Sequence, residues 1–357
     1  MGSINAIMPW VQADCIAKTV PFDWRKVDGK RILITGSTGL IGAQLVRVLL
    51  AAANRFNLDM HLILPVRDER KARLLFGDKS RNVSFFKWDL EVPDLDGIKF
   101  DFAFHLASPT SSSFFKECPV ETIKQIIDGS EAVLNCAVSC KAEKVVFLSS
   151  MEVYGEIETV AKETHLGSMD TMTVRNCYPE AKKLAECLCA SYAEEFGIAC
   201  TVARLSQCFG EGVAWEDKRV FAEFARKVVS GEDIVLFTDG LKRNMYVSVD
   251  DAISALLILL ERGENQHIYN IANEKTYCSI KEMAYFVRET FGSASTRVCF
   301  KKDTEREATF RKSSDLRMDC SEIRKLGWFP VHELVDMYAL MIAGWGFYPE
   351  QLCSMRH

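Results

Sequence analysis

The chain has 357 residues, 48% of them hydrophobic and 26% charged, the balance of a soluble globular protein of roughly two domains. At that length a large core can form without disulfides or a structural metal. Its 44 basic and 49 acidic residues leave a net charge of −5. This excludes a long-range attraction for nucleic acid or anionic lipid, so any anionic ligand must be held locally by Arg, Lys or helix N-termini.

Residues 1–28 read as an extension with Pro9, Pro21 and two Trp but no clear period. It has no basic n-region or apolar h-region, and Ala6 stands where a myristoylation motif wants Ser or Thr. A regular pattern follows. Arg31–Thr35 is a buried parallel strand by its β-branched apolar run, and 40–52 has helical spacing. Strands are predicted at His61–Val66, Val83–Phe86, Asp101–Leu106, Lys144–Ser149 and Ala199–Ala203, with long helices over 120–140 and 178–196. Strands alternating with helices define an α/β, Rossmann-type, doubly wound parallel sheet over 29–205. Residues 206–357 break the alternation, with helices at 220–229, 249–261 and 280–291. They are expected to form a smaller α/β substrate-binding lobe, some segments returning to the sheet. No apolar run approaches the ~18 residues of a membrane span. The thirteen cysteines are odd in number and contain no C-x-x-C. They read as small apolar filler in a reducing cytoplasm, with no metal site.

Between the first strand and its helix lies Thr35-Gly36-Ser37-Thr38-Gly39-Leu40-Ile41-Gly42. In this strand–turn–helix context the glycines let backbone approach a pyrophosphate, and the helix N-terminus attracts its charge. Gly36, Thr38, Gly39, Leu40, Ile41 and Gly42 are therefore expected to bind a dinucleotide. Arg67 and Asp68 follow the second strand, where a carboxylate takes a ribose 2′-hydroxyl and an Arg a 2′-phosphate. Arg67 comes first, which favours NADP over NAD. Asp89, after the third strand and beside Leu90, is a candidate acceptor for the adenine amino group.

Tyr178 and Lys182 are spaced i,i+4 and project from one helix face. An ammonium beside the phenol lowers its pKa from about 10 and makes it a general base. Ser149 and Ser150 end the fifth strand, at the edge where α/β proteins bind ligands. Here the chain resembles the extended short-chain dehydrogenase/reductases that modify nucleotide sugars, the NAD-dependent epimerase/dehydratase group. The resemblance covers nearly everything after residue 30. It is carried by TGSTGLIG, HLAS (105–108), SSMEVYG (149–155), YPEAK (178–182), ARLSQCFG (203–210) and RNMYVSVDD (243–251).

The resemblance implies bound NAD(P) and reversible hydride transfer at sugar C4. Tyr178 is then the base, Lys182 holds the nicotinamide ribose, and Ser150 bonds the C4 oxygen. Leu106, Ala107 and Ser108 line the cofactor, Ser108 also touching substrate. Glu152 keeps the position of a base at C5, while Met151 stands where some dehydratases place an acidic proton donor. The stretch HLASPTSSSFF…PVETIK looks most like the UDP-glucuronate decarboxylases, whose chemistry needs no such donor. Their pattern carries an Arg after the R-x-x-N-x-Y-G-P segment, but here Gly210 is followed by Glu211, Gln207 replaces the Asn and Phe209 the Tyr. Decarboxylase- or dehydratase-like turnover through a 4-keto species is favoured. An NADPH-dependent reductase of a nucleotide-linked keto-sugar, with a structural Glu152, and a 4-epimerase stay open. Arg243 matches the Arg that grips the nucleotide pyrophosphate, with Arg311 or Lys312 in a second such role. His105 and His61 read as structural. The family's four-helix dimer is expected here, through the helices 120–140 and 178–196 and outer positions Ala181, Ala185, Cys189 and Tyr192.

Overall fold

The computed structural model describes residues 4–77, 82–91, 93–301 and 315–348. Helix α1 (Ile4–Thr19) and a short 3-10 turn (Trp24–Val27) precede β1 (Arg31–Thr35). Next come α2 (Leu40–Phe56), β2 (His61–Val66), α3 (Glu69–Phe76), β3 (Val83–Lys87), β4 (Phe102–His105), α4 (Ser112–Glu117) and α5 (Pro119–Cys140). Strand β5 (Lys144–Ser150), α6 (Cys177–Phe196), β6 (Ala199–Leu205), β7 (Gln207–Phe209), α7 (Val220–Val229), β8 (Ile234–Leu236) and β9 (Arg243–Ser248) follow. The chain continues through α8 (Val249–Arg262), β10 (His267–Ile271), β11 (Asn273–Ser279), α9 (Ile280–Phe291), β12 (Val298–Phe300), α10 (Ser321–Lys325) and α11 (Leu334–Gly344).

Seven strands form one sheet in the order β3-β2-β1-β4-β5-β6-β10, every pair parallel. Period-two side-chain alternation sends Ile32 and Ile34 to one face and Leu33 to the other. On the first face they pack under α1, α2 and α8 with Leu45, Val48, Leu49 and Leu256. On the second, Leu33, Ala103 and Phe147 meet Ile126 and Val133 of α5 and Ala181 and Ala185 of α6. The sheet is covered on both sides, as its continuous apolar strands require. Strand order reverses direction between β1 and β4, and this switch point opens a crevice at the strands' carboxyl ends.

The remaining strands make smaller sheets, β11-β9-β7 and β12-β8. With α7, α9 and α11 they enclose a separate core around Phe209, Phe221, Phe224, Met283 and Tyr338. One strand of the second half, β10, returns to edge the large sheet beside β6. The N-terminal residues depart from the expectation of an irregular extension. Ala13, Ile16, Ala17 and Val20 are buried at i, i+3, i+4 and i+7 spacing, a helical stripe. Pro9 lies within α1, and a proline in a short segment masks that stripe in the sequence. No helix among the described residues is long and apolar enough to cross a membrane.

Candidate cofactor and active site

The glycine turn between β1 and α2 is a backbone cradle. Gly36 has φ +70°, and a Cβ there would lie 2.9 Å from the Ala107 nitrogen. Gly39 donates its N–H to the Gly36 carbonyl at 3.0 Å, and a Cβ on Gly42 would meet that carbonyl oxygen at 2.2 Å. Gly36 thus admits the chain after β4, and Gly42 lets α2 close on its own turn. Thr38, Leu40 and Ile41 occupy the same turn and helix start, whose N-cap Gly39 offers no side-chain acceptor. The first-turn N–H groups therefore point outward for an anion. Ser37 adds a buried hydroxyl with no partner. These features fit a dinucleotide pyrophosphate.

The opposite wall, Leu106 and Ala107, is fixed by a buried polar chain. Both their N–H groups donate to Thr35 Oγ1 at 3.1 Å, and Thr35 Oγ1 lies 2.7 Å from His105 Nδ1. Having accepted twice, the Thr35 hydroxyl gives its proton to Nδ1, leaving Nε2–H to donate to Ser130 Oγ at 3.2 Å. Ser130 passes its own proton to the Ile126 carbonyl. His105 is buried beside Lys182, and burial holds its pKa down to about 3. It is a neutral positioning group, as its place in the sequence suggests. Ser108 follows, donating to the Pro109 carbonyl.

At the end of β2, Arg67, Asp68, Glu69, Arg70, Arg73 and Lys87 line a cavity of about 390 Å³. Asp68 is the N-cap of α3 and accepts from the Lys71 N–H at 3.1 Å, so its carboxylate is engaged with its own helix. Asp89 accepts from the Glu91 N–H, and Leu90 packs over Gly129 of α5.

The four catalytic candidates converge where β5 ends. Ser150 caps the 3-10 turn Met151–Tyr154 by accepting from the Glu152 N–H at 3.2 Å, and its hydroxyl pulls the pKa of the neighbouring Tyr178 phenol down. Lys182, one turn along α6, is buried and donates to the Leu148 carbonyl at 2.9 Å, its ammonium 4.7 Å from the centre of the Phe147 ring. Burial draws its pKa down to about 8 against the attraction of Glu186. Glu186 accepts from Ser149 and is gripped by two nitrogens of Arg204, at 3.0 and 2.7 Å. The expectation that Lys182 lowers the phenol pKa is not met. Burial and the nearby Glu152 push Tyr178 up, with Ser150 and Arg175 pulling it back. Lys182 spends its charge on the β5 carbonyl and Glu186 instead.

Two residues of this cluster were not singled out in the sequence. Arg175 pairs with Glu152, its Nη2 at 3.0 Å from one carboxylate oxygen and 3.2 Å from the other. Its guanidinium also lies 4.9 Å from the centre of the Phe115 ring, which stacks on Tyr178 at 4.4 Å. The one available signal was a lone arginine three residues before Tyr178; its partners stand 23 and 60 positions away.

On the substrate side, Gln207 opens β7 and is partly buried. Arg243 is forked onto Glu282 at 2.8 and 3.0 Å and lies over Tyr277, with Arg317 on the same ring. Arg311 and Lys312 lie outside the described residues. The outer positions expected for a dimer are corrected. Ala181, Ala185 and Cys189 are buried in the chain's own core, and Tyr192 donates to Asn135 of α5 at 2.7 Å. The small residues let α6 lie close on α5 and the sheet, so the large apolar residues exposed on the two helices are Val120, Ile123, Leu184 and Phe196.

Comparison with known proteins agrees with this architecture. The profile of the NAD dependent epimerase/dehydratase family matches residues 32–272. The chain is 28% identical over 319 residues to UDP-glucuronic acid decarboxylase 2 of Arabidopsis thaliana, covering 89% of this chain and 68% of that one. It is likewise 28% identical over 321 residues to UDP-glucuronic acid decarboxylase 1 of Xenopus tropicalis, covering 87% and 70%. In fold it is similar to the UDP-N-acetylglucosamine 4-epimerase of Methanobrevibacter ruminantium (TM-score 0.75, 20% identity, 88% and 98% coverage). It is similar also to the dTDP-glucose 4,6-dehydratase DesIV of Streptomyces venezuelae, solved with NAD (0.73, 22%, 88% and 97%). A glycine cradle at the switch point, a Ser–Tyr–Lys set at the end of β5 and a profile match over most of the chain lead to one conclusion: the chain belongs to the NAD-dependent epimerase/dehydratase family of enzymes.

Proposed function

We propose that the protein acts on a nucleotide sugar through a 4-keto species, with decarboxylation of a UDP-glucuronate-like substrate as the net reaction. The observation that carries this reading is the convergence of Ser150, Glu152 and Tyr178 at the end of β5 with Lys182 behind them. Bound NAD(P) supplies a reversible hydride acceptor at C4 and a positive charge near the phenol. Tyr178 takes the C4 hydroxyl proton while Ser150 holds the oxygen. The resulting keto group is an electron sink for the bond from C5 to its carboxylate, so carbon dioxide leaves without an acid at Met151. A proton drawn from solvent and passed on by Glu152 would replace the carboxylate at C5, and Tyr178 would return its proton to the C4 oxygen as the hydride taken from C4 is given back. Lys182, fixed on the Leu148 carbonyl, orients the nicotinamide ribose. Arg243 and Gln207 bind the nucleotide side, with Arg311 as a second phosphate ligand.

The cofactor is NADP on this reading. Arg67 stands at the end of β2 while Asp68 is occupied as a helix cap, the arrangement that suits a 2′-phosphate. The cradle Gly36–Gly42 with Leu106–Ser108 takes the pyrophosphate and nicotinamide side, and Asp89 and Leu90 the adenine. Residues 29–205 serve as the cofactor domain and 206–357 as the substrate lobe, with β10 lent back to the sheet. Two copies pair through the outward Val120, Ile123 and Leu184 of α5 and α6. The cysteines among the described residues are free, which supports a cytoplasmic setting.

Incubation of the purified protein with UDP-glucuronate and NADP or NAD, followed by mass spectrometry, tests the reaction. Loss of the mass of carbon dioxide with no net change in nicotinamide absorbance is the expected result. Arg67 also favours a second reading, a reductase of a nucleotide-linked keto-sugar. Stoichiometric consumption of NADPH with a gain of two hydrogens would replace the decarboxylase by it.

A further inference from the structure

Behind the Ser150–Tyr178 pair lies a buried polar cluster to which the proposed chemistry assigns no role. Glu186 stands one helical turn beyond Lys182 on α6; it is 7% exposed and Lys182 3%. Its carboxylate is fixed from two strands. Ser149 of β5 donates to Oε1. Arg204 of β6 donates to the same oxygen through Nε at 3.0 Å and to Oε2 through Nη2 at 2.7 Å. Ser149 and Arg204 are directly paired in the register of the two strands. Arg204 is held in turn by the Glu163 carbonyl and by the Tyr154 ring, 4.9 Å away.

Lys182 is less well provided for. Its ammonium donates to the Leu148 carbonyl and faces the Phe147 ring, and among the described residues it forms no ion pair. The titratable groups around it are few. His105 of β4 is neutral, and on α6 Tyr178 and Cys189 are held protonated. This leaves Glu186 as the anion acting on the ammonium. A buried ammonium with no anion near it gives up its proton, and burial already brings Lys182 down to about 8 against the pull of Glu186. Each anchor on Glu186 therefore fixes the charge that opposes deprotonation of Lys182.

We propose that Glu186 is a positioning residue for the reaction, held by Ser149 and Arg204 so that the buried Lys182 stays charged to grip the nicotinamide ribose. This rests on the cofactor role given to Lys182 in the reading above and names the group that sustains it.

The test is cofactor affinity against pH, from the fluorescence of bound NADPH and NADH between about pH 6 and pH 10, a range that spans the Lys182 value of about 8. Affinity in the parent should fall about 10-fold as pH rises through that value, the worth of one hydrogen bond to a charged group. Lys182→Met should abolish the step. Glu186→Gln keeps the shape and an acceptor but loses the charge, and should move the step about one pH unit lower. Glu186→Asp returns the charge at a greater distance and should restore part of the shift. A purely structural role would lower the melting temperature and leave the step where it is. Circular-dichroism melts check the fold of each variant, and if Glu186→Gln does not fold, the Asp variant decides the matter. An unmoved step in the folded variants, a step that survives Lys182→Met, or no step in the parent would overturn the role of Glu186 while leaving the nucleotide-sugar reading intact. Binding of neither cofactor at any pH would overturn both.

Discussion

Glu211 is a carboxylate buried in the interior of this protein, where charge is costly. It is 4% exposed, and neither carboxylate oxygen has a hydrogen-bond partner. Burial, with a smaller push from Asp250 and an opposing pull from Arg47, holds its pKa up at about 7 against an ordinary 4.5. The sign follows from which state binds the proton. Between pH 4.5 and 7 the unfolded chain releases it and the folded chain keeps it, so stability falls through that window and stays low above it. At 1.36 kcal/mol per unit of pKa the whole interval is worth about 3 kcal/mol. Glu211→Gln removes this penalty, because a neutral amide of the same shape does not titrate. Urea unfolding at pH 4 and pH 8 is the assay. The variant should gain up to about 3 kcal/mol over the parent at pH 8 and nearly nothing at pH 4. An equal change at both pH values, or a variant less stable at pH 8, would refute the reasoning. Either result would mean that the Glu211 carboxylate is charged and satisfied in the folded protein.

His332 makes the opposite case. Hydrogen bonding and attraction from Asp251 and Asp250 outweigh burial and raise it to about 9. Its stabilisation, about 3 kcal/mol at full strength, is present below pH 6.5 and lost as pH rises through 9. His332→Gln should therefore be destabilised at pH 6, with the gap to the parent closing by pH 10 in the same unfolding assay. Tyr178→Phe should lower turnover about 10²- to 10⁴-fold with an unchanged circular-dichroism spectrum; full activity would remove the base from the mechanism. Arg67→Ala should weaken NADP binding about 10-fold or more while leaving NAD affinity nearly unchanged, the loss of a charge-assisted phosphate contact. Equal losses for the two cofactors, by fluorescence titration, would place the 2′-phosphate elsewhere.

What the sequence revealed of this molecule follows from which interactions are local. The parallel strands were readable because a strand buried on both faces needs an unbroken apolar run, as in Phe102–His105, every residue of which is buried. The glycine turn was readable because its constraints fall within seven consecutive positions, Gly36 and Gly42 meeting across one turn. Helix α1 was not, since its stripe is short and Pro9 interrupts it. The dimer positions failed for a related reason. Small residues at helical spacing mark a close packing partner but not which one, and α5 together with the sheet claims Ala181, Ala185 and Cys189 first.

The same distinction explains the electrostatics of the site. The i,i+4 spacing of Tyr178 and Lys182 places both side chains on one helix face, and that much is local. Which group sets the phenol's pKa depends on what else reaches it. Lys182 is satisfied by the Leu148 carbonyl, 34 positions back, and the charged groups acting on Tyr178 are Glu152 and Arg175. Glu152 arrives on the turn after β5, and Arg175 is anchored by Phe115 from α4. Three separate chain segments thus govern one hydroxyl.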